Sequence, residues 1–209
     1  TYDIEATVID AAGNASTDVT NGEFTLDSTL PDNATVQILE TNNVTPTISG
    51  TVSLGADETL TVQVDGVTYV PGDGDLTLSG SQWFLTIPPV NALAEGVYDV
   101  QAVVTDSLGN SSRDATVGEL IIDLTSPAIP TVNPLITNVT TPSLSGTAVL
   151  LPGETLSVEL SGHTYVAGDG NLAVAGDGDW TLQVPVANSL TNDGRYDIAV
   201  TVSDVAGNV

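Results

Sequence analysis

The stretch VYDVQAVVTDSLGN at residues 97–110 decides the fold, because the chain repeats it. Near-copies stand at residues 1–14 (TYDIEATVIDAAGN) and 195–208 (RYDIAVTVSDVAGN), so that their tyrosines lie 96 and 98 residues apart. After each tyrosine, apolar and polar residues alternate with the period of a half-buried β-strand, and each copy ends on the turn pattern Asp-x-x-Gly-Asn. A period of this length predicts repeated domains of about 100 residues.

Further landmarks recur in the same order around this stretch, and none shows a sustained helical spacing. They are TPTISGT (45–51) with TPSLSGT (141–147), TYVPGDGDL (68–76) with TYVAGDGNL (164–172), and WFLTIP (83–88) with WTLQVP (180–185). Asp65-Gly66 between two strand patterns predicts a two-residue hairpin. Short strands, about seven per repeat, with one tryptophan each predict an all-β chain of tandem immunoglobulin-like β-sandwiches arranged as an extended rod.

The phase of the repeat predicts the domain boundaries. Residues 1–27 are expected to be the last two strands, F and G, of a preceding domain. Residues 28–126 are expected to form a complete domain, and residues 127–209 a domain without its final strand. We therefore expect the chain to be a section of a longer array. Tyr98 is expected in the buried corner position of strand F, and the aspartates that follow the repeated tyrosines are expected to face solvent.

Charge is the strongest global signal, with 27 Asp and Glu against two Lys and Arg and a formal net charge of -25. Such a surface repels nucleic acid and anionic membranes, so neither is an expected partner. The chain has no run of about 18 apolar residues, so direct membrane insertion is not expected. Divalent cations would neutralise the self-repulsion, although a merely solvated acidic surface remains an alternative. The chain has no Cys and one His, His163, and no recurring Ser, His and Asp set, so we do not expect an enzyme.

The turn after strand F should lie at the N-terminal end of its sandwich, beside the linker from the previous domain. Asp27 and Asp123 begin two such linkers, each 13 residues beyond the Asn of the preceding turn. We therefore predict one cation site from Asp27, Asp106 and Asn110, a second from Asp123, Asp204 and Asn208, and part of a third from Asp10 and Asn14.

Calcium is the expected ion, because it takes roughly six to eight oxygen ligands from carboxylates, Asn side chains, carbonyls and water, whereas zinc prefers His or Cys. Other acids are candidates as well, together with Asn171, the counterpart of Asp75. They are Asp57, Glu58 and Glu154 at the N-terminal ends of the sandwiches, and Asp73, Asp75, Asp169, Asn171, Glu95 and Asp193 at the C-terminal ends. Turn chemistry alone remains the alternative, with each Asp accepting from backbone amides and the Gly-Asn pair adopting positive φ.

Taken together, TPTISGT, the Gly-Asp-Gly stretch, EGVYDVQAVVTDSLGN and ELIIDLTSP resemble the bacterial immunoglobulin-like repeats of giant RTX-type adhesins exported by type I secretion. The resemblance covers essentially the whole chain. It implies an extracellular stalk at the bacterial cell surface, in cell adhesion and biofilm formation, with Ca²⁺ at the junctions. The partners it implies are neighbouring repeats of the same chain, and other domains would contact the ligand.

Two alternatives to a spacer remain open. A ligand- or carbohydrate-binding module would display exposed aromatic residues, which make up only 4% of this chain. A self-associating fibre subunit would donate residues 15–27 as the final strand of another molecule's last domain.

Overall fold

A computed structural model describes residues 1–209 and contains β-strands and two short 3₁₀ turns, Pro89–Asn91 and Val186–Asn188. The all-β prediction is therefore confirmed. No helix has the length and apolar character needed to cross a bilayer. The chain divides into two compact units, one made of Thr1–Val36, Ser49–Leu85 and Gln101–Thr116, the other of Gln37–Ile48, Thr86–Val100 and Val117–Val209.

Eighteen strands follow one another along the chain. They are β1 (Thr7–Ile9), β2 (Ala15–Thr17), β3 (Leu39–Thr41), β4 (Thr47–Thr51), β5 (Thr59–Val64), β6 (Val67–Tyr69), β7 (Leu76–Ser79), β8 (Gln82–Thr86), β9 (Gly96–Tyr98), β10 (Val100–Thr105), β11 (Ser111–Arg113), β12 (Leu120–Ile122), β13 (Ser143–Thr147), β14 (Thr155–Leu160), β15 (His163–Val166), β16 (Leu172–Val174), β17 (Asp179–Gln183) and β18 (Ile198–Ser203).

The first unit contains the β1-β2 hairpin and a four-stranded sheet in the order β11-β10-β5-β6, together with most of the sheet β4-β8-β7. Leu60, Val62 and Val64 of β5 are buried and alternate with polar residues, because successive side chains of a strand point to opposite faces. Asp65 and Gly66 join β5 to β6 with positive φ angles of 49° and 78°. This is the conformation of a tight two-residue hairpin, so the predicted hairpin is confirmed.

The second unit contains the sheets β3-β12-β9, β13-β17-β16 and β15-β14-β18. Strand β12 is parallel to β3 and antiparallel to β9. The other two sheets enclose a single apolar core, as expected of a β-sandwich. Its buried side chains include Leu144, Leu156, Val158, Leu160, Tyr165, Leu172, Trp180, Leu182, Val184 and Val202.

Each tryptophan is fully buried against the glycine of a Ser-Gly-Thr motif. Nε1 of Trp180 donates a hydrogen bond of 2.9 Å to the Thr131 carbonyl. A Cβ atom on Gly146 would clash with that carbonyl and lie 2.7 Å from Nε1 of Trp180. Trp83 and Gly50 repeat the arrangement. Strands β13 and β4 therefore need glycine at this position, because a neighbouring backbone and an indole ring occupy the space of a side chain.

Tyr98 and Tyr196 make the hydrogen bond expected of the corner position, but both rings are half-buried, so the predicted burial of Tyr98 is wrong. The hydroxyl of Tyr98 donates to the Ala94 carbonyl at 3.0 Å, and that of Tyr196 donates to the Asn192 carbonyl at 2.8 Å. Each bond ties the start of the strand to residues just upstream and thereby fixes the direction in which the strand begins.

Candidate turn and linker sites

The turn Asp106–Asn110 is organised by the Asp106 carboxylate. Its Oδ1 accepts hydrogen bonds from the backbone amides of Leu108 and Asn110, each at 2.9 Å, and its Oδ2 accepts from the Asn110 side chain at 2.8 Å. Gly109 has a φ angle of 92°, which favours glycine. Hydrogen bonds led by that of the Asn110 side chain lower the pKa of Asp106, so the carboxylate is ionised at neutral pH.

The other two copies of the turn have the same geometry. The side-chain amide of Asn14 donates to Oδ2 of Asp10 at 2.8 Å, and that of Asn208 donates to Oδ2 of Asp204 at the same distance. The Asn14 side chain makes the largest contribution to the lowered pKa of Asp10. Desolvation raises the pKa of Asp204, but hydrogen bonds led by that of Asn208 outweigh it and leave the pKa lowered.

Two of the three turns contact a linker. Nδ2 of Asn110 donates to the backbone carbonyl of Asp27 at 3.2 Å, across 83 residues of sequence. Nδ2 of Asn208 donates to the backbone carbonyl of Asp123 at 2.9 Å. The structure thus brings together the two sets of residues that the sequence predicted to meet, but each linker aspartate contributes its main chain to the contact.

The carboxylates of the linker aspartates are engaged locally. Oδ1 of Asp27 accepts from the amide of Thr29, and Oδ1 of Asp123 accepts from the amide of Thr125, each at 2.9 Å. Both aspartates therefore turn the chain as it enters the linker. Glu95 also reaches the second linker, because its Oε1 accepts from the Thr125 hydroxyl at 3.1 Å.

Each contact between turn and linker is accompanied by a further hydrogen bond. Beside the turn Asp106–Asn110, the Ser112 hydroxyl donates to the Asp32 carbonyl at 3.0 Å. At the turn Asp204–Asn208, the backbone amide of Asn42 donates to the Ala206 carbonyl at 3.0 Å. The turns are thus attached to their surroundings at more than one point.

The remaining candidates at the N-terminal ends of the sandwiches close their own turns. Oε2 of Glu58 accepts from the Gly55 amide at 2.8 Å, and Oε2 of Glu154 accepts from the Leu151 amide at 2.7 Å. Asp57 lies exposed in the same turn as Glu58. Glu58 and Glu154 therefore support local turn geometry.

The candidates of the Gly-Asp-Gly loops also bind backbone. Asp73 accepts from the amides of Val70, Asp75 and Leu76 at 2.8 to 2.9 Å. Asp169 accepts from those of Val166, Asn171 and Leu172 at 2.7 to 3.2 Å. The hydrogen bond from Leu172 is the largest contribution to the lowered pKa of Asp169. Asp193 lies exposed in its loop.

The oxygen atoms at these contacts are in part suitable ligands for calcium. A carboxylate and a main-chain carbonyl converge on each Asn side chain, and both are oxygen ligands of the kind that Ca²⁺ takes. The amide nitrogen of the Asn faces these oxygens, and no group of three or more His, Cys, Asp or Glu side chains is placed to hold a metal ion. Calcium binding by the predicted residues stays a prediction.

One carboxylate that the sequence interpretation missed is Glu119, which is 2% exposed. Its Oε2 accepts from the Val100 amide at 3.2 Å, where strand F passes from β9 to β10, and Asp99 in return accepts from the Gly118 amide at 3.1 Å. Glu23 and Asp3 form the same reciprocal pair with Ile4 and Gly22. Asp3 and Asp99 are exposed as expected, but they also fix the register of the final strand. In the sequence, a Gly-Glu pair recurs with its Glu four residues before each linker aspartate, and this repetition could have indicated the role of Glu119.

The fold and the turns together define a protein of immunoglobulin-like repeats. The model of the bacterial immunoglobulin-like domain matches residues 37–124 and again residues 132–209. The chain therefore belongs to the bacterial immunoglobulin-like domain family, and the predicted resemblance to bacterial immunoglobulin-like repeats and the tandem immunoglobulin-like fold are confirmed. The predicted boundaries 1–27, 28–126 and 127–209 stay a prediction.

Several solved structures are similar to the chain. One is of a 1.5-MDa bacterial ice-binding adhesin in a study of host cell surface retention, at 22% identity and a TM-score of 0.40 over 98% of this chain and 69% of that one. Titin domains match at 16% identity and a TM-score of 0.40 over 97% and 69%. The Bacteroides ovatus protein SGBP-B in complex with a mixed-linkage heptasaccharide matches at 16% identity and a TM-score of 0.28 over 98% and 47%. No curated protein matches the chain.

Proposed function

We propose that the chain is a non-enzymatic spacer of a bacterial surface adhesin, outside the cell, whose repeats hold a separate ligand-binding domain away from the surface. The observation that carries the proposal is the recurring contact between the Asp-x-x-Gly-Asn turn and a linker. Asn110 meets the Asp27 carbonyl and Asn208 meets the Asp123 carbonyl. A contact that recurs with the repeat is suited to a chain that joins many equal units in series.

We further propose that Ca²⁺ stiffens these junctions. Each junction has an ionised turn aspartate and a linker carbonyl within reach of one Asn side chain, in a chain with a net charge of -25. A cation bound by both segments would replace repulsion between the turn carboxylate and the linker carbonyl with shared coordination, and it would stabilise the joined state by mass action. Adjacent domains with modest interfaces otherwise move relative to each other.

Burial of both tryptophans and two tyrosines favours the spacer over a carbohydrate-binding module, although Tyr2 and Phe24 are exposed. Trp83 and Trp180 have no exposed surface, and Tyr69 and Tyr165 are each 3% exposed. These rings are therefore unavailable to stack on a sugar. Specific binding of the isolated chain to a glycan array would favour a carbohydrate-binding module over a spacer.

The test combines melting curves with small-angle scattering in EDTA and in millimolar Ca²⁺, with Na⁺ at matched ionic strength to correct for screening. We expect Ca²⁺ to raise the melting temperature and to lengthen the maximum dimension. Asp106→Asn and Asp204→Asn should weaken both responses. The matched control is Asp65→Asn, which removes the same charge in the β5-β6 hairpin and should leave them intact. An unchanged melting temperature and length after chelation would refute the role of the ion.

A further inference from the structure

The side chain of Asn208 connects the turn Asp204–Asn208 directly to its linker. Nδ2 donates one hydrogen bond of 2.8 Å to Oδ2 of Asp204 and another of 2.9 Å to the Asp123 carbonyl. The backbone amide of Asn208 donates to Oδ1 of Asp204 at 2.8 Å. The residue is 8% exposed, and its side-chain nitrogen donates both hydrogen bonds of the contact.

Asn110 repeats the arrangement with hydrogen bonds of 2.8 Å to Asp106 and 3.2 Å to the Asp27 carbonyl. Asn14 provides an internal comparison. Its side chain is exposed, and its hydrogen bonds to Asp10 stay within its own turn. The bond to the aspartate therefore belongs to the turn itself, whereas the bond to the linker carbonyl is found where a linker lies against the turn.

We propose that Asn110 and Asn208 are latch residues, which hold each turn on its linker through hydrogen bonds that need no ion. The physical reason lies in the oxygens that face each other. Without a donor between them, the turn carboxylate and the linker carbonyl would repel, and the two protons of one amide satisfy both at once. The ionised aspartate strengthens the bond that it accepts and fixes the direction of the amide. Asp106 and Asp204 are thus positioning residues for the latch.

The latch and a bound cation are alternative ways to join the same oxygens. A cation would take the side-chain oxygen of the Asn as its ligand, so the amide would have to turn and its nitrogen would leave the linker carbonyl. This competition rests on the proposed function, whereas the latch does not depend on any ion.

The test uses the full chain in EDTA and measures hydrogen exchange by NMR. In the unaltered chain, the side-chain amide protons of Asn208 should exchange more slowly than those of Asn14. In Asn208→Asp, the backbone amide of Asn42, which donates to the Ala206 carbonyl, should lose protection by roughly tenfold as the turn separates from the linker. The core amide of Val158 should change less than that of Asn42. Asn14→Asp introduces the same charge into the equivalent turn and should leave Asn42 unaffected.

Equal exchange at the side chains of Asn208 and Asn14, or unchanged protection of Asn42 in Asn208→Asp, would overturn the latch. The first comparison uses the unaltered chain, so it decides the matter even where the variant does not fold. Addition of Ca²⁺ separates the two proposals. If Ca²⁺ leaves the melting temperature unchanged while the results in EDTA are as expected, the proposed role of the ion fails and the latch stands.

Discussion

Single residues in this chain are constrained most strongly where two backbones approach each other. Gly146 lies under the Trp180 indole and beside the Thr131 carbonyl, in the middle of a strand where glycine is otherwise unfavourable. The sequence displays this glycine in both Ser-Gly-Thr motifs, but the pattern alone does not say what occupies the space above it. The structure supplies the reason, because only the folded chain brings residues 131, 146 and 180 together.

We expect Gly146→Ala to destabilise its sandwich by about 3 kcal/mol or more, since the added methyl group forces the neighbouring strand or the indole to move. Gly176→Ala is the matched control, because no atom lies within 4 Å of its Cβ position and its φ angle is not positive. It should change stability by less than about 0.5 kcal/mol. Urea denaturation followed by tryptophan fluorescence measures both, and equal costs for the two variants would contradict the packing argument.

The carboxylate of Asp169 gives stability a dependence on pH. Hydrogen bonds led by that from the Leu172 amide lower its pKa in the folded state. A lowered pKa means that the ionised form stabilises the fold fully above the unfolded value of about 3.9, and that this contribution is lost as the pH falls through the folded value. Asp169→Asn removes the charge at every pH. The difference in melting temperature between the two proteins should therefore be constant near neutrality and shrink below about pH 4. A difference that grows in acid would contradict the assignment.

Among the elements, the two-residue hairpins show how the repeats use different residues for one geometry. Asp65 and Ser161 have φ angles of 49° and 51°, and each is followed by a glycine with positive φ. Asp tolerates this left-handed region better than Ser does, because its side chain hydrogen-bonds locally. The β14-β15 hairpin therefore has the less favourable turn residue.

Exchanging these residues should produce opposite effects. We expect Ser161→Asp to stabilise its hairpin and Asp65→Ser to destabilise the other, each by about 0.5 kcal/mol, with the strands unchanged. Chemical denaturation of the single variants and of the double variant measures the effects. Reversed signs, with Ser161→Asp destabilising and Asp65→Ser stabilising, would show that charge repulsion, and not backbone conformation, governs these turns.

At the scale of the whole molecule, 27 Asp and Glu side chains are opposed by only two basic side chains, Arg113 and Arg195, which leaves a net charge of -25. Mutual repulsion of this size opposes the compact state, and salt weakens it as the Debye length falls from about 30 Å at 0.01 M to about 3 Å at 1 M. We expect NaCl to raise the melting temperature across this range. Choline chloride at equal concentrations is the control, because screening depends on ionic strength and not on the identity of the cation. A flat response in both salts would show that repulsion does not limit stability.

The sequence by itself determined much of this protein. Alternation after the repeated tyrosines, the Asp-Gly hairpin and the recurring landmarks predicted the strands, the repeat and the immunoglobulin-like fold, since these depend on local backbone preference and on which side chains avoid water. The fixed spacing of Asp27 and Asp123 also indicated that each linker meets a turn. Only the tertiary structure decided which atoms meet, because hydrogen bonds across 83 and 85 residues depend on the final direction of each side chain. It placed the Asn amides, and not the linker carboxylates, at the contact, and it buried Glu119 as the acceptor for Val100. A carboxylate in a sequence shows that charge is available, and the fold decides whether that charge faces water, a backbone amide or a neighbouring segment.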